Sequence, residues 1–182
     1  MLPDALGPRG LQRRALLKSL AACCAWQQAP RAFAGGLRVG APAPPATLVT
    51  LDGERIVSSD LVGQVVILTF WATWCAPCRE ELPLLADYLS RHSEARLRIL
   101  AFSLDTPEEL TQVRAVARSL NFPVGLMRDS SAPGYGRMWR LPVSFTIDRR
   151  GLLAEDGWKE KHPAWTGERL EQIVTPLLAQ SG

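Results

Sequence analysis

Cys75 and Cys78 stand three residues apart around Ala76-Pro77, in the string Phe70-Trp-Ala-Thr-Trp-Cys-Ala-Pro-Cys-Arg79. Such a pair can ligate a metal, staple a fold or carry two electrons as a dithiol–disulfide couple. Stapling is the weakest of the three, because a bridge over two residues closes too small a loop to restrain the unfolded chain much. Zinc needs four ligands where this pair supplies two, and His92 and His162 are single residues without ligand spacing that read as ordinary surface or loop side chains. Arg79 occupies the place that a Cys-x-x-Cys-His haem attachment would give to histidine. Copper(I) can be held by two thiolates, so a copper carrier stays open beside redox exchange. No metal or cofactor is assigned to the chain.

The elements around the pair favour exchange. Val65-Val-Ile-Leu-Thr-Phe-Trp71 is a near-continuous apolar run, as a strand buried on both faces requires. From Cys78 the period changes: Leu82, Leu85, Ala86 and Leu89 fall on one face of a helix, with Pro83 inside it as a kink. Cys75 therefore sits where a strand ends and a helix begins. The first helical turn leaves N–H groups unpaired and carries about +0.5 charge, which favours a thiolate. Cys78, one turn on and facing inward, can attack a mixed disulfide formed at Cys75 and release the captured partner.

Elsewhere strands and helices alternate, giving an α/β chain. Gly40–Pro45 reads as a linker or extended lead-in, and Leu48–Leu51 with Arg55–Val57 as a hairpin around Asp52-Gly53. Leu97–Leu104 is a second buried strand. Thr106-Pro-Glu-Glu109 caps a helix whose apolar face is Leu110, Val113, Val116, Ala117 and Leu120. A short strand at Pro123–Met127, a polar loop at Asp129–Gly134 and a brief helix at Tyr135–Trp139 follow. Val143–Asp148 and Leu152–Ala154 are strands joined by a turn at Arg149-Arg-Gly151, which makes the sheet mixed. A last helix starts near Thr166. No Gly-x-Gly-x-x-Gly follows a strand, so no dinucleotide site is expected.

The full sequence of 182 residues has a net charge of +3, but the excess is local. Residues 1–34 hold five basic side chains against Asp4, leaving 16 basic and 17 acidic side chains after them. No basic face for nucleic acid is expected. Arg13-Arg14 followed by a short apolar stretch and the Ala32-Phe-Ala34 triplet reads as an export signal cleaved after Ala34. The order Arg-Arg-Ala-Leu-Leu-Lys resembles a twin-arginine signal, with Sec export left open by Gln12. Leu20-Ala-Ala-Cys23 resembles a lipoprotein box and makes Cys23 the alternative, membrane-anchoring site. The chain thus divides into residues 1–34, the signal, and 35–182, one domain, expected in the periplasm.

The Trp-Cys-Ala-Pro-Cys string in its strand–turn–helix setting resembles the active site of thioredoxin-fold proteins. With Asp60-Leu-Val-Gly63, Leu141-Pro-Val-Ser-Phe-Thr-Ile-Asp148 and Gly151, the chain resembles more closely the TlpA/ResA/CcmG group of exported thiol-disulfide oxidoreductases. That resemblance implies a thioredoxin fold with an N-terminal β-hairpin extension and an αβ insertion of TlpA type over residues 96–127. It implies Cys75 as the attacking and Cys78 as the resolving cysteine, Pro142 as a cis-proline beside them and Pro83 as the helix-kinking proline. Trp74, Ala76, Pro77 and Leu141 would meet a client, Leu141 without a side-chain hydrogen bond, while Trp71 packs in the core. Thioredoxins proper carry a buried Asp where this chain has Thr69, whose hydroxyl cannot act as general base, so Glu81 becomes the candidate proton acceptor. Its other reading, like that of Glu80, is a solvated carboxylate on the first helical turn. The group's members are mostly reductants fed by a membrane protein of the DsbD or CcdA type. Their clients are disulfides in apocytochromes c or in copper-site assembly proteins. A monomer is expected, and a thioredoxin-fold peroxidase is the remaining enzymatic alternative.

Overall fold

The computed structural model describes residues 36–92 and 96–180; the expected signal at 1–34 lies outside them, and with it the twin-arginine and Cys23 readings. A five-stranded sheet in the order β5-β4-β3-β6-β7 forms the centre. Its middle strand β3, Val65–Trp71, is buried at every position. On one side β3 pairs in parallel with β4 (Leu97–Ser103), which pairs in parallel with β5 (Val124–Leu126). On the other it pairs antiparallel with β6 (Val143–Ile147), which turns back into β7 (Leu153–Glu155). The sheet is mixed, as expected from the two closely spaced strands at the end of the chain.

Alternation along β3 divides the core in two. Val65, Ile67 and Trp71 face the helices: α1 (Ala76–Arg91), α2 (Leu110–Ala117) and α3 (Gly167–Ala179). Val66, Leu68 and Phe70, with Phe102 of β4 and Phe145 of β6, face a second layer that contributes Leu48 and Tyr135. Thr69 falls on the helix-facing side by the same alternation.

That second layer has no α-helix among the described residues and is closed by the N-terminal segment and by the loop after β5. β1 (Thr47–Val49) and β2 (Arg55–Val57) form the expected hairpin as a separate two-stranded sheet. It lies so close to β5 that a Cβ at Gly125 would stand 1.9 Å from the Val49 carbonyl oxygen. The Gly40–Pro45 stretch is an extended lead-in rather than a linker. Gly40 donates to the Leu153 carbonyl, Ala43 to that of Gly151, and Pro44 accepts from the Tyr135 hydroxyl at 2.7 Å.

Two expectations need correction. The brief helix at Tyr135–Trp139 is absent; a single 3₁₀ turn covers Pro133–Tyr135, and Gly136 at φ 81° turns the chain out of it. The helix after Thr106 is shorter than its apolar pattern suggested. A 3₁₀ turn at Pro107–Glu109 starts it, the Thr106 N–H bonding Glu109 at 2.8 Å, and α2 ends at Ala117. Leu120 still packs on the core from beyond its end.

Candidate active site

Cys75 is the N-cap of α1, in extended backbone conformation, and its Sγ accepts from the Cys78 N–H at 3.3 Å. Ala76 and Pro77 form the first turn, where a proline's missing N–H costs nothing. The chain enters that turn under restraint. Asp105, two residues beyond the strand-terminal Ser103 and 3% exposed, accepts from the Thr73 N–H at 2.9 Å, the Thr73 hydroxyl at 2.5 Å and the Ser103 hydroxyl at 2.6 Å. The loop from β3 to α1 is thereby tied to the carboxyl end of β4.

The two cysteines form a disulfide with Cα atoms 5.3 Å apart. Cys75 keeps 6% of its surface and Cys78 none. Trp74 (63% exposed), Ala76 and Pro77 flank Cys75 along the chain and are exposed, while Trp71 is fully buried. Any reagent or protein reaching the bridge meets Cys75 first.

The Leu141–Pro142 peptide bond is cis. β6 begins at the next residue, opposite Phe70, so Pro142 lies at the same end of the sheet at which β3 releases the chain toward Cys75. Pro142 is buried, and Leu141, half-buried, packs against both core layers.

Glu81 is not a solvated carboxylate. The buried face of α1 runs through Cys78, Glu81, Leu82, Leu85 and Tyr88, a helical repeat that carries Glu81 into the core one turn beyond Cys78. Oε1 accepts from the Thr69 hydroxyl at 3.3 Å, which itself accepts from Ser144 at 3.0 Å; Oε2 accepts from the backbone N–H of Trp165 at 2.8 Å. Burial pushes the carboxyl up from its ordinary 4.5 to about 7, against the opposing pull of the Trp165 N–H, the Thr69 hydroxyl and the charge of Arg169. Glu81 follows Cys78 by one helical turn, and a carboxyl shifted toward neutrality is suited to proton transfer. Glu80, its neighbour, is exposed.

The sequence reading brought together Cys75, Cys78, Glu81 and Pro142, but missed Asp105 and the residues that hold Glu81 from behind. An aspartate at the carboxyl end of a buried parallel strand was a usable signal, since sites in such sheets gather at those ends. Trp165 and Arg169 gave none, because the bonds they make depend on how the last connection folds back. His92 caps the end of α1, its ring stacked on Tyr88, and the described residues contain no group of three or more His, Cys, Asp or Glu placed to hold a metal. No helix among them is long and apolar enough to cross a membrane.

Residues 39–155 match the model of the AhpC/TSA family. The chain is 32% identical over 143 residues to the thiol-disulfide oxidoreductase ResA of Bacillus cereus, covering 77% of this chain and 80% of that protein. It is 33% identical over 123 residues to the thioredoxin-like protein YneN of Bacillus subtilis, covering 66% and 71%. Among solved structures, a thiol:disulfide interchange protein of the thioredoxin family from Chlorobium tepidum superposes with a TM-score of 0.62 at 26% identity, over 80% of this chain and all of that one.

Proposed function

From its membership of the AhpC/TSA family and of the ResA-like thiol-disulfide oxidoreductases within the thioredoxin superfamily, we propose that this enzyme acts outside the cytoplasm as a reductant of protein disulfides. The observation that carries the reading is the unequal burial of the two bonded cysteines, with a buried carboxyl one helical turn beyond Cys78.

In the reduced enzyme the Cys75 thiolate, favoured by the helix N-terminus, attacks a client disulfide. A Cys75–client bond forms and the first client thiolate leaves. The Cys78 thiol then gives its proton to Glu81 and its sulfur attacks Cys75 Sγ, closing the Cys75–Cys78 bond and releasing the second client thiolate. Two electrons pass from the pair to the client. Pro142 and Leu141 border the site where the client strand lies, and Trp74, Ala76 and Pro77 form its apolar rim. A membrane protein of the DsbD or CcdA type returns the electrons, and the clients are disulfides of cytochrome c maturation or copper-site assembly. Residues 1–34 act as the export signal of the 35–182 domain, which works as a monomer in the periplasm.

Cys78→Ser, expressed with its signal intact, is expected to accumulate one client covalently on Cys75, whereas Cys75→Ser accumulates none. Mass spectrometry of the captured proteins identifies the client class. Equal trapping by both variants, or capture of cytoplasmic proteins alone, would overturn the assignment of roles or of compartment.

A further inference from the structure

Behind Glu81 lies an ion pair that the exchange chemistry above does not use. Arg169, in the first turn of α3, meets Glu155 of β7 at hydrogen-bond distance, and each side chain is only 12% exposed. Glu155 is held in turn by the Thr146 hydroxyl at 2.9 Å. The other arm of the guanidinium reaches the connection before α3, donating from Nη1 to the Pro163 carbonyl at 2.7 Å. The plane of the group lies over the Trp165 indole, Cζ 4.3 Å from the ring centroid. Three kinds of contact from one side chain thus immobilise the turn whose backbone N–H bonds Glu81.

A planar fork suits this task and an ammonium does not, since the group bonds a carboxylate, a carbonyl and a ring face at once. Apolar residues of similar volume commonly serve stability as well as a buried guanidinium–carboxylate pair, so the informative feature of this pair is what its contacts hold in place. What this pair fixes is the approach of an N–H donor to Glu81.

We propose that Arg169, anchored by Glu155, is a positioning residue for Glu81: it fixes the turn that presents the Trp165 N–H to Oε2. The inference rests on the role proposed for Glu81 and adds the device that tunes it. The groups that act on Glu81 are the Thr69 hydroxyl from β3 with Ser144 of β6 behind it, the Trp165 N–H, and Arg169 from α3 with its partner Glu155 on β7, while Cys78 lies one helical turn before it on α1. Arg169 is the cation among them, and its charge opposes the effect of burial.

Carbon-detected NMR titration of the Glu81 carboxyl in the oxidised full chain tests this, with the pH profile of client-disulfide reduction as a second readout. In Arg169→Gln the Glu81 midpoint is expected to rise by about one pH unit, a tenfold change in its ionisation ratio. Glu155→Gln/Arg169→Gln, which leaves no buried charge unpaired, is expected to give the same direction if the single variant folds poorly. Arg169→Lys keeps the charge without the fork and should fall between them and the wild type. A Glu81 midpoint unmoved in the double variant overturns the proposal. Should Glu81→Gln leave the exchange profile unchanged, the proton role of Glu81 falls, while a shifted midpoint would still establish Arg169 as the residue that sets its ionisation.

Discussion

Thr69 and Glu81 face each other in the core, the hydroxyl of the central strand donating to the carboxylate of α1 across 3.3 Å. The strand position that bears an acid in thioredoxins proper is here a donor, and the acid comes from the helix, one turn beyond the buried cysteine.

That placement makes stability depend on pH in an unusual direction. The native carboxyl titrates at about 7 against an ordinary 4.5, so between those values the folded state binds more protons than the unfolded one. The oxidised protein should therefore be most stable on the acid side of this window and lose stability as pH rises through it, by roughly 3 kcal/mol in total. Urea titrations at pH 5 and pH 8 check this, with Glu81→Gln expected to abolish this component of the slope. A stability that rises over the window because of Glu81 would contradict its burial as a neutral acid.

In exchange, Glu81→Gln should slow the resolving step at neutral pH by on the order of a hundredfold and leave the attack by Cys75 nearly unchanged. Stopped-flow measurement of mixed-disulfide formation and decay separates the two steps.

Asp105 predicts a different loss. Its carboxylate takes the Thr73 N–H and hydroxyl together with the buried Ser103 hydroxyl, so Asp105→Ala leaves these donors without their acceptor and should cost roughly 2–3 kcal/mol. Thr73→Val removes the hydroxyl alone and should cost about 1 kcal/mol. Denaturant midpoints give the stabilities; the Asp105 variant should also exchange more slowly, because the loop leading to Cys75 is no longer tied to β4.

Trp74 is expected to matter to clients and not to the fold. With 63% of its surface exposed, Trp74→Ala should leave the unfolding midpoint within about 0.5 kcal/mol of the wild type. The same change should lower the rate with a protein disulfide on the order of tenfold, and with a small-molecule disulfide much less. Parallel assays with the two substrates distinguish a docking surface from general disturbance of the site.

Gly125→Ala tests how the hairpin is seated. A methyl group there meets the Val49 carbonyl, a backbone atom that moves only with β1, and the substitution should cost about 1–3 kcal/mol or more. Gly36→Ala, with nothing within 4 Å, serves as the control and should be nearly neutral.

Most of this architecture is written in local patterns. The apolar run of β3, the helical repeat after Cys78 and the Asp52-Gly53 turn each report their element because burial and backbone geometry act within a few residues. The roles proposed for the two cysteines were read from the same junction of strand and helix. Glu81 was legible as a candidate but not as a buried one, since the helical repeat admits it to the core only if Thr69 and the Trp165 N–H are waiting there. Those partners, 12 and 84 residues away, and the Arg169–Glu155 clamp exist only once the last connection has folded back. The expectation of a brief helix at Tyr135–Trp139 failed because Gly136, at φ 81°, turns the chain out of the 3₁₀ turn at Pro133–Tyr135.

The division of labour between the cysteines is tested most directly by thiol-specific alkylation of the reduced, folded protein, with the labelled residue mapped by mass spectrometry. Cys75 should be labelled first and Cys78 only on unfolding, because the bonded pair leaves surface on the former and none on the latter. Labelling of Cys78 as fast as Cys75 would contradict an enzyme that attacks with one sulfur and resolves with the other.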